Sequence, residues 1–244
     1  MNGLKAVLWR EYLFFKRRWL TITTGAMVAP LLYLLAFGLG LGKSVSLNGV
    51  SYLNYIVPGI IALSTMNVSF NAVSTPLIIA RLYDKTFEEY LIAPITIYSY
   101  ASGKILAGAL RGLYAAFILI IIAWLFRAHL IVTGWFFPIL FLNCLVFSSL
   151  GFLAALKINS HPDMARFNNY VITPMIFVCG TFFSVDRIPV PFSYLIKLLP
   201  LTPASQGLRN VALGGEASSL LLMIQIIYLL IFVVWGLKTC LKVE

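Results

Sequence analysis

The run GLGLGKS at residues 38–44 ends as a phosphate-binding loop ends, with Gly42, Lys43 and Ser44. Such a loop reads G-x-x-x-x-G-K-[ST], because a glycine-rich turn wraps backbone amides around phosphates while the lysine reaches them. The first glycine of that pattern would stand at Phe37, and Gly38 leaves the loop one residue short. The loop also needs a buried strand before it and a helix after it, whereas about twenty mostly apolar residues precede this one, the length of a membrane span. The expectation is that these residues close a helix and permit close packing, and that this chain hydrolyses no nucleotide.

Acid–base chemistry is no better supplied. Glu11, Asp84, Glu88, Glu89, Asp163, Asp186, Glu216 and Glu244 all fall in termini or connections, as do His129 and His161. A proton or sodium relay needs such groups within the spans, so ion coupling is not expected. Neither is a metal centre, an intramembrane protease or a Ser-His-Asp set. Cys144, Cys179 and Cys240 lie in or beside apolar runs without ligand spacing and read as small apolar residues.

Three groups of residues remain. In residues 55–80, Ser64, Asn67, Asn71, Ser74 and Thr75 project into a sector of about 100° on a helical wheel. Lipid cannot satisfy them, so the stripe faces either neighbouring helices or a polar pathway. Arg111 is the one charge placed inside a span, Lys104 being counted at the cytoplasmic end of residues 101–126. It could bind a lipid or substrate phosphate, or snorkel to the interface or pair with backbone carbonyls. Beside it Gly108 and Gly112 form a G-x-x-x-G step that permits close helix contact.

The third group is RLYDKTFEEYLIAPI at residues 81–95. Thr86 followed by Glu89 reads as a capping box at a helix start, and Pro94 as a stop. Phe87, Tyr90 and Leu91 then share one face, with Asp84, Lys85, Glu88 and Glu89 around it. Aromatic anchors with a charged rim compose an interaction surface; the alternative is an ordinary interfacial helix.

Composition dictates the elements that position these residues. Of 244 residues, 61% are hydrophobic and 11% charged, which is membrane composition, and the apolar runs recur along the whole chain. The fold expected is all-α and polytopic, a single domain over residues 1–244. Six spans are predicted at residues 20–41, 55–80, 101–126, 135–156, 168–183 and 218–237, the fifth short and irregular. With the N-terminus inside, twelve of the eighteen Lys and Arg fall on the cytoplasmic side and five outside, placing both termini in the cytoplasm. No cleavable signal peptide is expected, since Lys5, Arg10, Glu11, Lys16, Arg17 and Arg18 interrupt the leader.

Leu4, Leu8, Tyr12, Phe15 and Trp19 line one helical face, so residues 1–19 read as an amphipathic interface helix or, more plainly, a charged leader. The outer connection 184–217 is too apolar for an ordinary loop. It reads as short re-entrant helices, which survive only where protein or a water-lined cavity satisfies their backbone; a plain extracellular loop is the alternative.

Taken together, YIVPGI at 55–60, DKTFEEYLIAPI at 84–95, LRGL at 110–113 and LPLTPASQGLRNVALGG at 199–215 resemble, in order and sidedness, the permease subunits of type-2 ABC exporters. The resemblance covers nearly the whole chain. It implies that residues 84–95 are the coupling helix, docking into a separate nucleotide-binding ATPase subunit, and that the interface helix, with Arg10 and Glu11, helps hold that partner. It also implies that residues 189–215 form outer helices capping the pathway. On this resemblance the chain would act as a homodimer with two ATPase subunits in a bacterial or archaeal plasma membrane. ATP and Mg would be bound by the partner, and no cofactor by this chain. The cargo expected is an amphiphile, a drug-like molecule, lipid or glycolipid. A lipid-linked oligosaccharide or polysaccharide is the alternative cargo, and a non-transporting receptor or recruitment module the alternative role. No nucleic acid is implied.

Overall fold

The computed structural model describes residues 2–40, 46–47, 50–183 and 188–242. Its long helices are α1 (Asn2–Tyr33), α2 (Tyr52–Leu82), α4 (Ile97–Leu125), α5 (Phe136–Lys157) and α10 (Ser219–Leu241), and its shorter ones α3 (Thr86–Ile92), α6 (His161–Phe167), α7 (Thr173–Val178), α8 (Val190–Lys197) and α9 (Leu201–Ala212). A two-residue antiparallel ladder, Ser46 with Ser51 and Leu47 with Val50, precedes α2.

Five helical stretches are long and apolar enough to cross a membrane: Gly3–Phe37, Tyr52–Leu82, Ile97–Leu125, Phe136–Lys157 and Ser219–Leu241. The chain is thus a polytopic all-α membrane protein. The expected span at 168–183 has a different form: α6, a π-helical turn (Asn168–Ile172) and α7 run end to end, no piece long enough by itself. Pro174, lacking an N–H, stands near the start of α7 just after the π-turn, where it removes a backbone bond from the regular ladder.

α2 and α5 form the centre of the bundle. Their most apolar windows are 78% buried, against 17% in α1 and 11% in α10, which present apolar faces outward. In hydrocarbon, burial gives little drive to associate, so close contact and polar bonds must hold helices together. The Gly108–Gly112 step does this: a Cβ at Gly112 would lie 2.0 Å from Ser69 Oγ and 2.8 Å from Cys144 Sγ, and one at Gly108 would lie 2.4 Å from Val73 Cγ2. α4 therefore presses against α2 and α5 where its side chains vanish. Asn143 of α5 adds two donations, to the Ala62 carbonyl at 3.1 Å and to Thr65 Oγ1 at 2.9 Å.

The contacts sort the bundle into two ends. At one end Arg81, in the last turn of α2, donates to the Ala155, Leu156 and Ile158 carbonyls and to Asn159 Oδ1, satisfying the carbonyls that a helix leaves open at its C-terminus. The N-terminal limb of α1, α3, and the C-terminus of α10 gather at this end. At the other end α9 packs inward through Leu201, Ala204, Leu208 and Val211. Its Arg209 donates to the carbonyls of Tyr55, Gly180 and Thr181. The connection expected at 184–217 is thus two short helices, α8 exposing Phe192, Tyr194 and Leu195 and α9 buried; residues 184–187 lie outside the described residues.

The GLGLGKS run begins in a π-helical turn (Leu34–Leu39) that extends α1, followed by Gly40. Residues 41–45, with the lysine and serine of the run, lie outside those described.

Candidate translocation cavity and coupling surface

The two limbs of α1 part at Arg18, whose dihedrals (φ −122°, ψ 16°) leave the helical region. The interface helix expected at 1–19 is therefore the N-terminal limb of a longer helix. The face it buries is offset from the expected one. Val7 and Glu11 are buried, while Tyr12 and Trp19 are about half exposed. Close contact explains the offset, since a Cβ at Gly103 of α4 would lie 2.7 Å from Val7.

Between α1 and α2 lies a cavity of about 790 Å³, within the size range of small-molecule sites. The α2 stripe forms one wall: Ser64, Asn67, Asn71 and Thr75 line it, and Ser74 does not. Ser74 is fully buried in the helix packing. Asn71 donates to the Asn67 carbonyl at 3.0 Å and accepts from Asn168 at 3.5 Å, while Ser64 donates to the Ile60 carbonyl at 2.6 Å. Four members thus border open space and one serves helix contact, so both uses considered for the stripe occur. The facing wall, on α1, is built of small residues, Gly25, Ala26 and Ala29.

Arg111 meets a partner the sequence did not disclose. Its guanidinium lies 2.6 Å from Glu11 Oε2, and Lys104 Nζ lies 2.5 Å from Glu11 Oε1. Arg111 also reaches toward the Ala72 and Glu11 carbonyls at 3.4 Å. Pairing with backbone, expected for it, is present but secondary to the carboxylate. Glu11, counted among the terminal acids, is a buried anion wedged against α4.

At the lower rim of the cavity stand Asp84 and Thr86, at the root of α3. The capping box expected there is not formed. Lys85, in the left-handed region (φ 52°), is the N-cap, and Thr86 sits one residue inside the helix with its buried Oγ1 unpartnered. The helix instead starts through a turn bond from the Glu88 amide to the Lys85 carbonyl.

The aromatic anchors also face inward. Phe87 is 2% exposed and 5.8 Å from the Tyr100 ring, and Tyr90 lies 4.7 Å from that ring, with the Arg10 guanidinium 5.0 Å from the centre of the Tyr90 ring. Phe87 is therefore corrected from a partner contact to the plug that seats α3 on α4. The outward face carries Tyr83, Asp84, Lys85, Glu88 and Glu89; the Leu91 side chain lies outside what is described. Arg10 on Tyr90 joins the N-terminal limb to α3. Among the described residues no cluster of His, Cys, Asp and Glu could hold a metal ion.

Sequence comparison places this arrangement among known proteins. Residues 2–213 match the family described as ABC-2 type transporter. Nodulation protein J of Rhizobium leguminosarum bv. viciae is 30% identical over 240 residues, covering 97% of this chain and 92% of that protein. The inner membrane transport permease YadH of Escherichia coli (strain K12) is 27% identical over 215 residues, covering 87% and 83%. Together with the five membrane-length helices, these matches establish that the chain belongs to the ABC-2 type transporter family.

Proposed function

We propose that this chain is the membrane-spanning subunit of an ATP-driven exporter and moves an amphipathic molecule out of the cytoplasm or the inner leaflet. Two copies work with two ATP-binding subunits, which carry ATP and Mg. The observation that carries the reading is the continuity of the cavity: it runs from the polar stripe of α2 to Asp84 and Thr86 at the root of α3. A displacement of α3 is thereby a displacement of the cavity's rim, and Phe87, seated on Tyr100, transmits it to α4. Exposed Glu88 and Glu89 offer the charges for docking the ATP-binding subunit.

The cationic end of the bundle faces the cytoplasm of an inner membrane, with both termini there. Residues 161–183 complete a sixth, broken crossing, and α8 and α9 dip into the outer leaflet as a cap, with α9 satisfied by protein contacts. The mixed wall of apolar, hydroxyl and amide groups suits a drug-like or lipid amphiphile. Nucleotide-driven closure of the ATP-binding subunits shifts the spans between inward- and outward-facing states.

The test is ATP hydrolysis by the chain purified in lipid, alone and co-expressed with candidate ATP-binding subunits. A stable complex whose amphiphile-stimulated hydrolysis is uncoupled by Glu89→Ala supports the reading. Hydrolysis by this chain alone, or failure of any ATP-binding subunit to associate, overturns it in favour of another role.

A further inference from the structure

The cavity carries an unbalanced charge at one end. Arg10, Arg18, Lys104 and Arg111 line it, against the carboxylates of Glu11 and Asp84. Glu11 engages Lys104 and Arg111 with one oxygen each. Arg10 and Arg18 are exposed into the site and, among the described residues, neither has a carboxylate within salt-bridge distance; their contacts are the ring faces of Tyr90 at 5.0 Å and Phe14 at 5.1 Å. The Phe14 ring also lies 5.1 Å from the Arg111 guanidinium, so one ring contacts two guanidinium groups. Aromatic faces orient a guanidinium without neutralising it, and its fork of donors stays open to an oxyanion.

Beyond this lobe, toward Tyr33, the α1 wall is mostly apolar through Ile22, Ala26 and Ala29, while on α2 Leu63 and Val68 alternate with the hydroxyl and amide groups of Ser64, Asn67 and Asn71. From Arg18 to Tyr33 the helix rises about 22 Å at 1.5 Å per residue, a large part of the roughly 30 Å hydrocarbon core. A cationic lobe continuous with a trough that is apolar on α1 and mixed on α2 has the polarity of an anionic amphiphile.

We propose that Arg10 and Arg18 form a headgroup site for an amphiphile bearing a phosphate or sulfate, with its apolar part lying between α1 and α2. Arg111 and Lys104, neutralised by a single Glu11, leave one further positive charge behind the headgroup. That the occupant is cargo rests on the exporter reading; that the site binds an anionic headgroup does not.

The probe is dodecyl phosphate, titrated into the chain purified in dodecyl maltoside, which shares its chain length and lacks its charge. Thermal unfolding is followed at each concentration. Wild type should be stabilised saturably. Arg18→Gln and Arg10→Gln, both at exposed positions, should raise the half-saturating concentration by about tenfold, the loss of one charge-assisted contact. Arg17→Gln removes the same charge one residue away from a side chain that does not line the cavity, and should behave as wild type. An equal effect of Arg17→Gln and Arg18→Gln, or equal stabilisation by inorganic phosphate, overturns the proposal. Anionic phospholipid that co-purifies with wild type and Arg17→Gln but not with Arg18→Gln identifies a membrane lipid as the occupant. Dodecyl phosphate stimulation of ATP hydrolysis in the complex, lost in Arg18→Gln, identifies cargo. Failure of the exporter reading would abolish only this last response and leave binding intact.

Discussion

Glu11 Oε1 and Lys104 Nζ meet at 2.5 Å across 93 residues of sequence, in a site where both side chains are nearly closed to solvent. The same carboxylate holds Arg111, so one anion anchors the N-terminal limb of α1 to α4 and restrains two cations at once. Removing one member of a buried charge network strands the others, which costs about 3 kcal/mol or more. Glu11→Gln keeps the shape and removes the charge. It should lower the thermal midpoint in detergent and expose the N-terminal limb to protease, whereas Lys16→Gln on the exposed side should do neither. An unchanged midpoint and cleavage pattern would remove the carboxylate from this role.

Gly112 sets the separation of α4 from α2. A methyl group there would stand 2.0 Å from Ser69 Oγ and 2.8 Å from Cys144 Sγ, and both neighbours are fully buried. Overpacking of this kind costs about 1–3 kcal/mol. Gly112→Ala should destabilise the chain by that amount, and adding Ser69→Ala, which removes the nearer atom, should restore part of it. Additive losses in the double variant would show that the two residues do not share this contact.

Much of this architecture was legible in the sequence because hydrocarbon imposes simple rules. Apolar length located the five membrane-length helices, and the boundary expected between residues 19 and 20 lies within two residues of the kink at Arg18. The α2 stripe was legible because amides and hydroxyls on one helical face must find polar surroundings, and four of its five members border the cavity. What stayed hidden depended on contacts between distant segments. Glu11 reads as a terminal acid and, by the resemblance, as a partner contact because nothing local signals Lys104 or Arg111; Arg10 takes the same partner role and Arg18 reads as a leader charge because the cavity beside them exists only once α1 folds against α2. The N-cap at α3 moved by one residue because Lys85 adopts the left-handed region, which a capping pattern cannot reveal. Phe87 turned inward because Tyr100, on the next helix, offers a ring surface that no spacing within residues 81–95 encodes.

At the opposite end of the bundle, Arg209 stacks over the Tyr55 ring at 4.0 Å and donates to the Tyr55 carbonyl at 3.0 Å. Its remaining donors bond the Gly180 and Thr181 carbonyls at 2.6 and 3.0 Å. A guanidinium is needed for this, since a lysine offers a point charge rather than a planar fork. Arg209→Lys should therefore lose stability nearly as Arg209→Gln does, by about 2 kcal/mol, the scale of truncated charged hydrogen bonds. In hydrogen exchange the amides near residues 180–181 should lose protection in both variants. Full retention of protection in Arg209→Lys would mean that charge alone suffices.

Helix α3 carries its buried and its charged side chains on different faces. Phe87 is buried against Tyr100, so Phe87→Ala leaves a cavity under α3 and should cost about 3 kcal/mol, lowering the thermal midpoint of the chain in the absence of any partner. Glu88 and Glu89 are exposed and form no ion pair with the described residues, so Glu88→Ala and Glu89→Ala should leave that midpoint within about 0.5 kcal/mol of wild type. In complex with an ATP-binding subunit the order reverses in kind. The two glutamate variants should weaken association and its salt dependence, because rim charges act through long-range attraction that salt screens. Phe87→Ala should retain that salt dependence yet transmit less of the subunit's motion, read as hydrolysis that amphiphile no longer stimulates. Loss of salt dependence in Phe87→Ala, or a lowered midpoint in Glu89→Ala, would exchange the roles assigned to the two faces of α3.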